Sequence, residues 1–315
     1  MQPFSYLTIP VIQKNFFQFG IFLFLFLFLF FYPGQNYYQT LQVSWKEPEV
    51  IPLPKAIDFY PASYPLSYGT YPIPYLTAKS AILIDVPSAV VLYEKNPNEK
   101  LFPASTTKIM TALVSLDHYQ VNTPIYISQF KKEGAQMGLA IGDTVTVNSL
   151  LYGLLVNSGN DAASVLANHY PGGENAFVKE MNQKAVELHL TQTHFVDADG
   201  FSEPGHYMSA LDLARLSTFA LKNPLFAKIV NTKITDVPDY YYKKLYHLEN
   251  INKLLGMLPG INGIKTGWTE EAGECLVASA ERNGHFLVSV ILGSSDRFGE
   301  TKVLLDWGFN NFIWQ

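Results

Sequence analysis

Between Phe16 and Tyr32 the chain is apolar apart from Gln18, and from Ile21 to Phe30 it alternates phenylalanine and leucine. No soluble domain exposes such a run, so the rest of the chain must fold apart from it. As a helix the run spans roughly 25 Å, a little short of the ~30 Å hydrocarbon core of a bilayer. Ile9 to Ile12 extend it across Gln13, Lys14 and Asn15. The uninterrupted part, Phe19 to Tyr32, also suits the core of a signal peptide. No small-x-small cleavage site follows, Tyr32-Pro33-Gly34-Gln35 being a poor one, which favours an uncleaved signal anchor. Lys14 is the only positive charge before the run, so residues 1–33 read as a cytoplasmic tip and anchor. The bulk of the chain is then expected outside the cytoplasm, at the cell membrane.

After the run the composition shifts. Prolines recur at 48, 52, 54, 61, 65, 72 and 74 among tyrosines. Residues 34–77 therefore read as an extended linker of polyproline character, with apolar residues free to lie along a domain surface. The remaining 78–315 suffice for one large domain or two small ones. A net charge of −5 and the lack of a basic run argue against nucleic-acid binding. The single cysteine, Cys275, excludes an intramolecular disulfide.

Within that domain one short stretch carries chemistry, Pro103-Ala104-Ser105-Thr106-Thr107-Lys108. Ile109, Ala112, Leu113 and Leu116 form an apolar stripe at helical spacing. Ser105 and Lys108, three apart, share a face of that helix. Ser105 stands in the first turn after Pro103, where the helix dipole favours developing negative charge. A serine is a weak nucleophile until a base takes its proton, and a lysine made partly neutral by burial is such a base. A lone S-x-x-K equally describes a helix cap beside a solvated lysine. Here Ser158-Gly159-Asn160 follows 53 residues later, and Lys265-Thr266-Gly267 follows 107 residues after that. Such a triple occurs in penicillin-binding proteins and class A β-lactamases.

The surrounding words PASTTKIMTAL, LLVNSGNDAA, GIKTGWTEEAGECLVASA and LLDWGF make the chain, from about Ala78 to Phe312, resemble the D-alanyl-D-alanine carboxypeptidases, low-molecular-weight penicillin-binding proteins of the serine-peptidase class. The resemblance implies a β-lactamase/transpeptidase-like α+β fold. It implies a substrate, peptidoglycan stem peptides ending in D-Ala-D-Ala, with β-lactams as acylating inhibitors and no cofactor. Carried over by motif, Ser105 attacks, Lys108 takes its proton, and Ser158 relays a proton to the leaving amine. Asn160 orients the substrate amide and helps hold Lys108. Lys265 adds a second cation that disfavours the charged form of Lys108. The backbone N–H groups of Ser105 and Trp268, beside Gly267, form the oxyanion hole. Thr266 and Arg297 bind the terminal carboxylate, for which an arginine fork is suited. Many relatives continue into a small β-rich domain and an amphipathic C-terminal anchor. The sequence reads as lacking both, with the N-terminal run in the anchor's place.

The element pattern agrees with that fold. Ser80–Val86 and Ala89–Tyr93 read as a hairpin broken at Pro87-Ser88. Ser149–Val156 and Asp161–Asn168 read as helices linked by Ser158-Gly159-Asn160, with Gly159 ending the first and Asn160 capping the second. Glu174–Leu190 and Ser209–Leu221 are helical, the latter with a capping pattern. Asn231–Glu249 reads as a hairpin, and Cys275–Glu281 and His285–Leu292 as strands joined by Asn283-Gly284. Arg297–Phe309 closes the domain as a helix. Strands at both ends with helices between predict an antiparallel sheet flanked by helices. Thr193 to Phe201 is similar to a family loop that usually reads Asn-x-x-Gly-Leu. Here Asp197 and Phe201 stand at the asparagine and leucine positions.

Other chemistries fit less well. Seven histidines invite a zinc peptidase, but no pair forms a compact helical ligand motif, and no metal is expected. Cys275 lies in a strand-like apolar run and reads as core. Glu187-Leu188-His189-Leu190 only faintly resembles a β-lactamase deacylation signature. A non-catalytic penicillin-binding sensor is disfavoured because Ser105, Lys108, Ser158 and Lys265 are all present.

Overall fold

The computed structural model describes residues 11–31, 64–69, 71–201 and 203–315. Most of the Pro/Tyr-rich linker, and the segment after Tyr32 that lacks a cleavage site, lie outside the described residues. The chain divides into two units, Met1–Tyr60 and Pro61–Gln315. In the first, α1 (Val11–Phe31) is a single helix of 21 residues. Gln13, Lys14 and Asn15 interrupt its first turns, and its unbroken apolar stretch begins only at Phe19. Among the described residues no helix is long and apolar enough to cross a membrane.

In the second unit the three expected hairpins, near Ser80–Tyr93, Asn231–Glu249 and Cys275–Leu292, all form. β1 (Pro65–Ser67) is followed by the hairpin β2 (Ser80–Asp85) and β3 (Val91–Lys95). A tight turn, Ala104–Thr107, runs straight into α2 (Lys108–His118). The short pair β4 (Pro124–Tyr126) and β5 (Thr144–Thr146) precedes α3 (Val147–Leu155), α4 (Asn160–His169) and α5 (Gly173–Glu187). Then come α6 (Ala210–Ala220), α7 (Pro224–Val230), and the hairpin β6 (Ile234–Pro238) and β7 (Leu245–Glu249). β8 (Ile261–Thr269), β9 (Gly273–Arg282), β10 (His285–Ser294), α8 (Arg297–Asn311) and β11 (Phe312–Trp314) complete the chain.

The central sheet has five strands in the order β3-β2-β10-β9-β8, all antiparallel. Its middle strands are buried on both faces, and the period of two sorts their side chains between two cores. Ile82, Ile84, Val277, Val288 and Val290 face the helical core with α2, α3 and α4. Ala81, Leu83, Leu276, Leu287 and Ile291 face the second core, under α8. The β9–β10 turn has both Asn283 (φ 52°) and Gly284 (φ 79°) in the left-handed region, the backbone that lets a two-residue hairpin follow strand twist.

The helix α7, the strand β8, the short pair β4 and β5, and the pair β1 and β11 escape sequence reading. α7 starts at Asn223-Pro224, where the Asn223 side chain accepts from the N–H groups of Leu225 and Phe226. The strand β8 carries Lys265-Thr266-Gly267 along the sheet edge. β1 pairs antiparallel with β11 through Leu66 and Ile313, inside the stretch read as linker. Leu76 is buried in the second core, and Glu300 accepts from the backbone N–H groups of Thr77 and Ala78. Residues 65–67 and 76–77 therefore pack on the domain, and its packed surface begins before Ala78.

Candidate active site

The site forms where β8, the Ser105 turn and the helical core meet. Ala104 opens the turn at φ 49°, and Thr106 Oγ1 donates to the Pro103 carbonyl at 2.6 Å. The turn is tighter than the first turn of an α-helix, and i and i+3 side chains eclipse in such geometry. Ser105 and Lys108 are thereby stacked, with Lys108 Nζ 2.9 Å from Ser105 Oγ. Lys108 is wholly buried and donates a second bond to the Asp199 carbonyl at 2.6 Å. Burial lowers its pKa to about 8, against the opposing pull of Asp199, Asp197 and Asp161. Desolvation is thus what makes this lysine a competent base.

Lys265, buried on β8, forms a second pair by donating to Ser158 Oγ at 2.9 Å. Burial, with Lys108 and Arg297 nearby, drives Lys265 well below the ordinary lysine range. Gly267 lets β8 approach the turn. A Cβ there would stand 2.9 Å from the Pro103 carbonyl oxygen and 3.1 Å from the Ser105 nitrogen. The backbone beside Trp268 therefore runs against the Ser105 amide, while the Trp268 side chain is exposed at the mouth. A cleft of about 600 Å³ opens here, its lining including Ser105, Ser158, Asn160, Thr266 and Arg297. Arg297 donates from Nη1 to the Gly267 carbonyl at 2.6 Å, and the Glu274 carboxylate accepts from its backbone N–H at 2.8 Å.

Two expectations change at the Ser158 link. The left-handed residue is Ser158 (φ 59°), and Gly159 takes the N-cap place of α4. Asn160 does not cap. Its Nδ2 donates to the Glu133 carbonyl at 2.9 Å, and its backbone N–H to the Ala135 carbonyl at 2.7 Å. The amide that was expected to help hold Lys108 thus ties down the 133–139 loop that walls the cleft. Asp161 completes that tie by accepting from the N–H groups of Met137, Gly138 and Leu139.

Sequence reading missed Asp161, Asp199 and His206. The only signal for Asp161 was an acidic residue in the first turn of a helix. Cys275 is buried on β9, and burial pushes its thiol up to about 11, far from a thiolate nucleophile. Among the described residues no group of three or more His, Cys, Asp or Glu is placed to hold a metal ion.

The sequence profile of the D-alanyl-D-alanine carboxypeptidase family matches residues 70–296. D-alanyl-D-alanine carboxypeptidase DacF of Bacillus subtilis is 38% identical over 245 residues, which cover 75% of this chain and 63% of that protein. The chain thus spans less than two thirds of that relative. D-alanyl-D-alanine carboxypeptidase DacB2 of Mycobacterium tuberculosis is 35% identical, over 76% of this chain and 85% of that protein. The crystal structure of the Streptomyces K15 DD-transpeptidase superposes with a TM-score of 0.72 at 31% identity, covering 76% of this chain and all of that one.

Proposed function

The chain belongs to the D-alanyl-D-alanine carboxypeptidase family of serine peptidases, and on that premise we propose that it removes the terminal D-alanine from peptidoglycan stem pentapeptides through an acyl-enzyme on Ser105. The observation that carries this reading is the contact of 2.9 Å between Ser105 Oγ and a fully buried Lys108 Nζ. Neutral Lys108 takes the hydroxyl proton as Oγ attacks the carbonyl of the penultimate D-alanine. Charge then develops on the carbonyl oxygen, and the N–H groups of Ser105 and Trp268 receive it. Ser158, bonded to Lys265, relays the proton that Lys108 took to the departing amine, so that Lys108 is neutral again and the Ser105–carbonyl ester remains. Water, with its proton taken by Lys108, cleaves that ester. Thr266 and the positive charge of Arg297 favour a substrate ending in a free carboxylate. β-Lactams acylate the same serine.

We further propose that the domain works outside the cytoplasm, held at the membrane by residues 1–33. The apolar run after Lys14 supports this, and the protein is expected to sediment with membranes. The deciding experiment incubates the protein with a muropeptide pentapeptide, with and without a free amino-acid amine. Release of one D-alanine with a tetrapeptide product supports a carboxypeptidase. A peptide joined to the amine instead makes the enzyme a transpeptidase. An unchanged pentapeptide, with stable penicillin labelling, makes the protein a binding sensor.

A further inference from the structure

Beneath Lys108 lie two aspartates, Asp197 and Asp199, both buried. Asp197 Oδ1 accepts from the backbone N–H groups of Asp199 at 3.0 Å and Gly200 at 2.6 Å. Asp199 Oδ2 lies 3.7 Å from Lys131 Nζ. The other two oxygens, Asp197 Oδ2 and Asp199 Oδ1, are buried without a hydrogen-bond partner among the described residues.

His206 cannot serve Asp197 Oδ2, although its Nδ1 is 3.6 Å away. That nitrogen accepts from the Val196 N–H at 3.3 Å, so the ring proton sits on Nε2 and goes to Thr107 Oγ1 at 2.9 Å. Burial holds the ring neutral, with a pKa of about 4. The remaining charged and titratable surroundings are Lys108 on α2, Asp161 on α4, Lys131 with Glu174 beyond it on α5, His194, and Lys265 and Arg297 across the cleft.

We propose that Asp197 and Asp199 share one proton, held between Asp197 Oδ2 and Asp199 Oδ1, so that the pair presents one negative charge to Lys108 rather than two. Among the described residues each carboxyl keeps one buried oxygen that no N–H or O–H serves, and two carboxylates have no proton with which to serve each other. Burial and the Asp197 charge raise Asp199 above the ordinary carboxylate range, against the pull of Lys108 and Lys131. Two like charges this close do not both ionise readily. The reading rests on the serine-peptidase assignment only for its purpose. A second full charge pulls the pKa of Lys108 upward, and a single one leaves more of it neutral and able to act as a base. Asp197 and Asp199 are thus positioning residues, acting through Lys108.

The test compares the wild type with Asp197→Asn. The amide keeps Oδ1 for the two backbone N–H groups and places an N–H where the shared proton sat. The folded wild type binds more protons than its unfolded chain above the usual aspartate pKa, so its stability falls relative to the variant as pH rises. The Tm of the variant should gain on the wild type between pH 4 and 8, by roughly 3–5 °C for each unit of upward shift. Parallel curves overturn the proposal. Infrared spectra of wild-type protein with isotope-labelled aspartate should show a protonated-carboxyl C=O stretch at pH 7. Its absence overturns the proposal without any variant having to fold. The acid limb of penicillin acylation should keep its midpoint in Asp197→Asn, since both forms carry one charge, and a move to lower pH contradicts the shared proton. The melting and infrared arms need no turnover, so they decide the proposal even if the serine-peptidase reading fails.

Discussion

A lysine without solvent is a different reagent from one in water, and Lys108 is the residue on which the chemistry turns. With its pKa lowered to about 8, roughly a tenth of the population is neutral at pH 7. The acylation rate with a penicillin should therefore climb about tenfold per pH unit below 8 and level off above it. A profile flat from pH 5 to 9 would remove Lys108 from the role of base. The same shift bears on stability. Between about 8 and the 10.5 of a free lysine, the unfolded chain binds a proton that the folded one does not. Lys108 thus adds stability as pH rises through that window, and below it the fold carries a buried ammonium. Ser105→Ala should abolish penicillin labelling with little change in Tm, because removing one hydroxyl at the edge of a cleft creates no large cavity. Lys108→Ala should slow acylation by a factor on the order of 10²–10⁴. Labelling that persists in Ser105→Ala would move the nucleophile elsewhere.

At the scale of elements, the site depends on how closely β8 approaches the Ser105 turn. β8 is fixed by its ladder with β9, which pairs Gly267 with Cys275, so it cannot retreat from a new Cβ. Gly267→Ala should keep the fold at a cost of about 1–3 kcal/mol, as overpacking does. It should slow acylation roughly a hundredfold, the usual effect of a displacement near 1 Å. Undiminished labelling would show that the approach of β8 is not limiting. A second expectation concerns β1. A chain starting at Ala78 loses the β1–β11 pairing and the burial of Leu76, so its Tm should fall roughly 5–10 °C below that of a chain starting at Pro61. Equal values would make residues 61–77 a mere tether. Four strands of the main sheet, the helices other than α7, and the three motifs were legible because each has a local signal: alternation, helical spacing, caps, or Asn283-Gly284. β1 was not, since three residues ending at Ser67 show no periodicity and take their partner from the far end of the unit. Gly263 and Gly267 broke the alternation that would have marked β8. The burial of Lys108 and the loop-tying role of Asn160 are long-range facts, and no spacing along the chain encodes them.

For the molecule as a whole, the fate of the acyl-enzyme separates a peptidase from a β-lactamase. After peptide cleavage the D-alanine diffuses away and water reaches the ester. A penicillin's leaving group stays tethered through its ring and obstructs that water. Rapid release would need a carboxylate fixed beside a water near Ser105. Glu187, the faint sequence candidate, sits exposed at the end of α5, paired with Lys184 and outside the cleft lining. Glu203, Glu270 and Glu271 reach the lining of the cleft but are solvent-exposed, and a mobile, hydrated carboxylate is poorly preorganised to orient a water. Ser105 should therefore stay acylated by penicillin long after a peptide ester has been hydrolysed, which makes penicillin an inhibitor rather than a substrate. Mass spectrometry of the penicillin-treated protein over time measures this directly. The adduct mass should persist while a peptide substrate turns over many times under the same conditions. Rapid return of the unmodified mass, with hydrolysed penicillin accumulating in catalytic excess, would make the protein a β-lactamase and require one of those exposed glutamates to be held against a water in the acylated state.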